Sequence, residues 1–152
     1  DSRLLEACLL SMDKSNAASV AILSEHNVGA LTDVTGFGLA GHLGEILRAA
    51  DCGVRLSLAD IPMLPGVEGL ISKGVVSSLQ KANALVLRDY QLRGFDLTDP
   101  RVQLLVDPQT SGGMLATLPK DRIGDCLKQL IGKGYQASVI GEICDAGIME
   151  IV

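Results

Sequence analysis

Tryptophan is absent from this 152-residue chain, and phenylalanine and tyrosine occur only twice each. Basic residues are also few, 13 against 18 acidic ones, for a formal net charge of −5. Such a chain lacks both the stacking platforms and the basic stripe of a nucleic-acid binder. No apolar run approaches the ~18 residues that a membrane-spanning helix requires. The four cysteines, Cys8, Cys52, Cys126 and Cys144, are far apart and form no Cys-x-x-Cys pair, so they signal neither a zinc site nor a dithiol redox centre. Isolated cysteines in apolar surroundings read as small buried hydrophobes and fit a reducing, cytoplasmic compartment. His26 and His42 give no Ser/His/Asp or Cys/His array. His42 borders an apolar helical face and reads as a packing residue. The chain opens Asp1-Ser2-Arg3 with no signal-peptide pattern and runs straight into helical periodicity. We therefore expect residues 1–152 to be one domain of a longer protein.

Apolar residues make up 47% of the chain and charged residues 20%, which suits a compact fold. A domain of this length buries roughly 70% of its extended surface, so it needs no metal or disulfide to fold. Leu4, Leu5, Cys8, Leu9 and Met12 form a helical stripe. Ser15 or Asn16 is placed to cap a second helix through Ala17, Val20, Ala21 and Ser24. A short strand over Val28–Leu31 leads to a helix with Leu39, Leu43, Ile46, Leu47 and Ala50 on one face, stopped near Gly53. Val54, Leu56 and Leu58 alternate as a half-buried strand. Residues 67–92 are weakly helical, and 91–101 are polar and turn-like. Short strands are expected over Gln103–Val106 and Met114–Leu118. Pro119 opens a helix through Ile123, Cys126, Leu127, Leu130 and Ile131. The strands Tyr135–Ile143 and Gly147–Val152 are expected to join through a turn at Asp145-Ala146-Gly147. The interspersed elements predict an α+β fold, a mixed β-sheet flanked by helices.

Two segments carry potential chemistry. Gly36-Phe37-Gly38-Leu39-Ala40-Gly41 is a G-x-G-x-x-G between a strand and a helix, and Asp60 follows Gly41 by 19 residues. That context admits a dinucleotide-binding reading. The polar approach Thr32-Asp33-Val34-Thr35 opposes it, because Asp33 would repel a pyrophosphate. A second reading gives the glycines a packing role only. A third uses Asp33: a carboxylate beside a helix N-terminus can hold Mg²⁺ while the backbone N–H groups receive phosphate oxygens. Thr32 and Thr35 can then donate to phosphate or orient metal-bound water. Asp33 can equally be a helix-capping residue. The loop Asp107-Pro108-Gln109-Thr110-Ser111-Gly112-Gly113 lies between strands, where Asp107 can simply cap the turn. Arg88, Arg93 and Arg101 form a loose basic group, readable as solvated surface or as anion contact.

Read together, the segments Thr32–His42 and Asp107–Leu115 resemble the two signatures of selenophosphate synthetase (selenide, water dikinase), and Gly141-Glu142-Ile143 is similar to that family's C-terminal strand. The resemblance covers nearly the whole chain but only the C-terminal half of the family's enzyme, within a superfamily that includes aminoimidazole ribonucleotide synthetase. It implies a C-terminal domain of that superfamily's α+β type, with the N-terminal ATP-binding, catalytic domain absent. It implies turnover of ATP, selenide and water to selenophosphate, AMP and phosphate by a homodimeric, cytoplasmic full-length enzyme. Asp33 matches an acidic position facing Mg²⁺-bound phosphates, and Thr32, Thr35 and Gly36 are expected to line the same ATP site. No catalytic nucleophile is expected in this chain, because none of its cysteines matches the family's reactive residue. The isolated domain is accordingly expected to be inactive, with the N-terminal domain, ATP and selenide as its partners. Gly74–Asn83 departs from the family's Gly-Gly-Thr-x-x-Asn segment. Another ATP-using synthetase or kinase of the superfamily, and a non-catalytic interaction domain, stand as alternatives.

Overall fold

A computed structural model describes residues 2–152. The helix α1 (Ser2–Met12) is followed by α2 (Ala17–Glu25), the strand β1 (Ala30–Asp33) and the long helix α3 (Gly38–Ala50). After β2 (Gly53–Leu56) come a short 3₁₀ turn at Leu58–Asp60, α4 (Val67–Ile71), α5 (Gln80–Asn83) and a second 3₁₀ segment, Ala84–Asp89. The chain continues through β3 (Gln91–Leu92), α6 (Pro100–Leu104), β4 (Met114–Thr117), α7 (Ile123–Gly132), β5 (Gly141–Cys144) and β6 (Met149–Ile151).

The strands form two sheets. β1 and β4 make an antiparallel ribbon in which Leu31 faces Ala116 and Asp33 faces Met114. The other four form a mixed sheet in the order β3-β6-β2-β5. There β6 runs parallel to both β2 and β3, and β5 runs antiparallel to β2. The α+β character and the mixed sheet expected from the sequence are present, with the ribbon as a separate element.

Two apolar clusters sit on either side of the ribbon. The larger joins α3 (Ala40, Leu43, Leu47) to the mixed sheet (Val54, Leu56, Ile151) and to Val102, Leu105, Val106 and Leu115. The smaller packs Ile22 and Leu23 of α2 against Cys126 and Leu130 of α7, over Leu31, Met114 and Ala116. Strand side chains alternate between faces, so Leu115 enters one cluster while Met114 and Ala116 enter the other. A ribbon covered on both faces explains the unbroken apolar run Met114-Leu115-Ala116.

Several local expectations change. Residues 103–106 are not a strand. Asp99 caps α6 by accepting a hydrogen bond from the Arg101 amide at 2.8 Å, Pro100 opens the helix, and Val102, Leu105 and Val106 are fully buried at helical spacing. The buried face of α2 is Ser19, Ile22 and Leu23, not the Ala17–Ser24 stripe. Asn16 does not cap α2 with its side chain, which instead donates to the Gly112 carbonyl at 2.9 Å. Helix α3 ends one residue before Asp51, whose φ of 48° is left-handed. Gly53 is the first residue of β2, not a helix stop. The alternation Val54, Leu56, Leu58 ends early, because Leu58 begins the 3₁₀ turn. Residues 67–92 are a series of short turns of helix and a two-residue strand. Pro119 precedes α7, its carbonyl accepting from the Arg122 amide at 2.9 Å. On α1, Leu5, Leu9 and Leu10 are exposed, so its stripe is not buried within the described residues.

The two C-terminal strands are not a hairpin. They flank β2 on opposite sides, and the Asp145–Ile148 turn passes over its first residue. A Cβ on Gly53 would overlap the carbonyl oxygens of Asp145 and Ile148. The Val54 amide, one residue on, donates to the Ile148 carbonyl at 2.6 Å. Gly53→Ala is therefore expected to lower stability by about 1–3 kcal/mol, the usual cost of overpacking against groups that cannot move aside. Urea titration of both proteins measures it, and an unchanged midpoint would show that the turn yields.

Candidate functional site

The two motif segments meet at one end of the ribbon. Pairing of β1 with β4 sets Asp33 opposite Met114, immediately after the 107–113 loop. Beyond the ladder the Val34 amide donates to the Gly113 carbonyl at 2.9 Å, and the Gln109 amide donates to the Thr35 carbonyl at 3.0 Å. Gly112 lies so close to Val34 that a Cβ there would overlap the Val34 carbonyl oxygen. The loop needs left-handed backbone at Ser111 (φ 51°) to make this approach. Asn16 holds the far side of the loop through Gly112.

The G-x-G-x-x-G turn is fixed from the opposite direction. Gly38 has φ +70°, and a Cβ on it would lie 2.8 Å from the Leu105 carbonyl oxygen. The Ala40 amide donates to that same oxygen at 2.8 Å, and the Gly38 amide donates to Thr35 at 3.1 Å. Two N–H groups of the first helical turn are thus satisfied internally. Phe37, the residue before the helix, offers no capping side chain. The dinucleotide reading is not supported by this topology. Its fingerprint requires a parallel, doubly wound sheet, whereas among the described residues β1 pairs with the antiparallel β4 alone. Gly38 serves close packing of α3 against residues 105–106.

Asn83 was not picked out by sequence reasoning as a site residue, although it closes the segment that departs from the family pattern. Its amide nitrogen donates to the Gly36 carbonyl at 2.8 Å and to the Val106 carbonyl at 3.1 Å. It thereby joins the glycine turn to the residue before Asp107. Nothing in residue spacing points to such a role, because both partners are backbone atoms distant in sequence.

The candidate residues differ in what they offer. Asp33 is exposed at the end of β1, and no described residue donates to its carboxylate. The Thr32 hydroxyl donates to the Asp33 backbone carbonyl at 3.2 Å. Gly36 is exposed, with open space where a Cβ would be. The Thr35 hydroxyl lies 3.1 Å from His42 Nε2, and His42 Nδ1 lies 3.0 Å from Glu45 Oε2. His42 is buried, as a packing residue would be, with both ring nitrogens engaged. Asp107 is half-buried and accepts from the Gln109 side chain at 3.2 Å, a turn-holding role. Arg88, Arg93 and Arg101 do not act as one anion site: Arg93 pairs with Glu150 at 2.7 Å, while Arg101 donates to the Leu58 carbonyl at 3.3 Å. Among the described residues no three His, Cys, Asp or Glu side chains converge on a metal-sized site. No helix among them is long and apolar enough to cross a membrane.

Residues 2–152 match the family model described as AIR synthase related protein, C-terminal domain. The chain belongs to that family. It is 37% identical over 139 residues to a selenide, water dikinase of Pseudomonas straminea, covering 91% of this chain and 39% of that protein. A selenide, water dikinase of Burkholderia pseudomallei is 39% identical over 134 residues, covering 87% of this chain and 38% of its own length. The chain therefore spans about two fifths of the length of these relatives. Among solved structures, E. coli HypE, a hydrogenase maturation protein, superposes with a TM-score of 0.64 at 19% identity, over 92% of this chain and 37% of that one. That likeness concerns the fold alone.

Two outcomes follow for the loops. Asn83→Ala removes two hydrogen bonds and leaves two carbonyls to find new donors, so it is expected to lower stability by about 1–3 kcal/mol; thermal unfolding reads the change. For Asp107, burial pushes the carboxyl above the usual carboxylate range, with the Gln109 hydrogen bond opposing. A carboxyl raised in the native state makes stability fall as pH rises from the ordinary carboxylate range through the raised value. Asp107→Asn should accordingly raise the melting temperature at neutral pH. The gain should vanish in acid, where the aspartate is protonated in both states. Melting curves at the two pH values test this, and a loss at neutral pH would reverse the assignment.

Proposed function

We propose that this chain is the C-terminal domain of an ATP-dependent selenide, water dikinase, and that it forms one wall of a Mg²⁺–nucleotide cleft. The observation that carries the reading is Asp33: an exposed carboxylate with no donor among the described residues, held where both motif segments interlock. A capping aspartate would accept N–H hydrogen bonds from the following helix. Asp33 has none from a described residue, which favours an external cation over a cap. The similarity to selenide, water dikinases supports the reaction class: ATP, selenide and water to selenophosphate, AMP and phosphate.

The residues present supply one hard oxygen ligand, which fits a single corner of a Mg²⁺ shell and no more. No three His, Cys, Asp or Glu side chains converge among the described residues, so this reading assigns the remaining ligands and the nucleophile to another part of the full-length enzyme. Mg²⁺, when bound, neutralises polyphosphate charge and so favours phosphoryl transfer. This chain's own share is positional. Asp33 is aimed by the β1–β4 ladder, Thr32 and Thr35 flank it, and the side-chain-free Gly36 leaves room for close approach. Alone, the domain is expected to fold without turning over ATP. A homodimeric, cytoplasmic full-length enzyme is part of the same proposal.

In the full-length enzyme, Asp33→Asn should lower kcat/KM by about 10²-fold. As an exposed substitution it should move the melting temperature by no more than about 2 °C. Unimpaired selenide-dependent AMP formation in the variant would remove Asp33 from the cleft. The matching family model is that of AIR synthase related proteins in general, which favours a second reading, another ATP-using synthetase or kinase of the superfamily. It predicts turnover with an acceptor other than selenide in that same assay.

A further inference from the structure

His42 sits inside α3 with both ring nitrogens in hydrogen-bond contact, Nε2 with Thr35 Oγ1 at 3.1 Å and Nδ1 with Glu45 Oε2 at 3.0 Å. The Phe37 ring leans against the imidazole, with centroids 5.6 Å apart and planes tilted by 47°. His42 is buried, Glu45 is largely exposed and Thr35 is half-covered, so the chain of contacts runs from solvent through the helix to the motif loop.

For a neutral imidazole, the chemistry of these groups fixes the direction of each hydrogen bond. An ionised carboxylate only accepts, so Nδ1 must carry the hydrogen that bonds Glu45. A neutral imidazole has a single N–H, and Nε2 is then a lone pair. The Thr35 hydroxyl must point its one proton inward to Nε2. What Thr35 Oγ1 can still offer on its other side is lone pairs.

We infer that His42, held by Glu45, is a positioning residue that turns Thr35 into an obligate hydrogen-bond acceptor in the cleft. The inference rests on the cleft reading proposed above and assigns Thr35 a different role from a phosphate donor. Two acceptors repel, so Thr35 does not touch a bare phosphate oxygen. It takes a hydrogen from a donor, the class to which an ordered or cation-coordinated water belongs. The imidazole is buried, with the Phe37 ring beside it.

Two measurements test it. Long-range ¹H–¹⁵N correlation of the imidazoles in the 152-residue chain, which has only two histidines, reports the tautomer directly at a pH where the ring is neutral. His42→Gln assigns the signals. The expected result is Nδ1–H with an unprotonated Nε2. An Nε2–H tautomer, or rapid averaging of both, would overturn the relay.

The second measurement is a double-mutant cycle in the full-length enzyme. Thr35→Val and His42→Leu are each expected to lower kcat by ten-fold or more, with Thr35→Ser retaining most activity. Together they should lose no more than Thr35→Val alone, because His42 acts through Thr35. Multiplying losses, or a fully active Thr35→Val enzyme, would refute the positioning role; a merely structural histidine gives the multiplying result. An active Asp33→Asn enzyme with the Nδ1–H tautomer intact would instead sink the cleft reading while leaving the relay standing.

Discussion

Everything that brings the two motif segments together depends on one backbone approach, Gly112 against the carbonyl of Val34. The missing side chain at Gly112 lets the loop close onto the end of β1. The flanking hydrogen bonds, Val34 to Gly113 and Gln109 to Thr35, then lock register and orientation. A larger residue would push the loop off the strand end and separate Asp33 from its surroundings without touching Asp33 itself. A glycine distant in sequence thus sets the aim of a carboxylate through main-chain geometry. The same logic holds on the other side, where Gly38 lets α3 meet the Leu105–Val106 backbone. Both glycines serve close approach of backbone to backbone, and neither requires a ligand to explain it.

How much of this was legible in the sequence follows from the range of the interactions. Periodicity located α3, β4 and α7, because each buries a face against a core that sequence patterns report directly. It missed α6. Residues 103–106 are too few to distinguish helix from strand by apolar spacing, and the deciding features, the Asp99 cap and Pro100, lie just before them. It made a hairpin of the last two strands because a short turn joins them. The turn straddles the end of β2, and only the space above Gly53 allows that. At the site, Asp33, Thr32, Thr35 and the glycines were legible as a motif. Asn83 and the engagement of His42 were not, since each role consists in partners distant along the chain or hidden by folding.

The glycine-rich turn also shows why a motif needs its tertiary context. As a sequence it suggests backbone N–H groups presented to phosphate. In the fold, the Gly38 and Ala40 amides already donate to Thr35 and Leu105. The anion-binding capacity of this helix N-terminus is correspondingly reduced, because a donor already bonded in a packed core is not offered to a ligand. In the proposed cleft, the weight of ligand recognition would then fall on the carboxylate at the end of β1 rather than on the helix dipole.

The proposed role of Asp33 bears on an apparent conflict between charge and proposed substrate. The chain carries a net charge of −5, and neither 32–41 nor 107–113 contains a lysine or arginine. A polyphosphate brought to such a surface meets only like charge and neutral dipoles. Direct contact between Asp33 and phosphate would be repulsive at any short distance. A divalent cation between them reverses the sign of both interactions, and the acidic residue becomes the attractive one. An acidic domain can therefore be half of a nucleotide site, provided that cations or the basic groups of another domain complete it. The absence of basic side chains from both motif segments is what makes a carboxylate, rather than an arginine or lysine, the residue on which this wall of the proposed cleft turns.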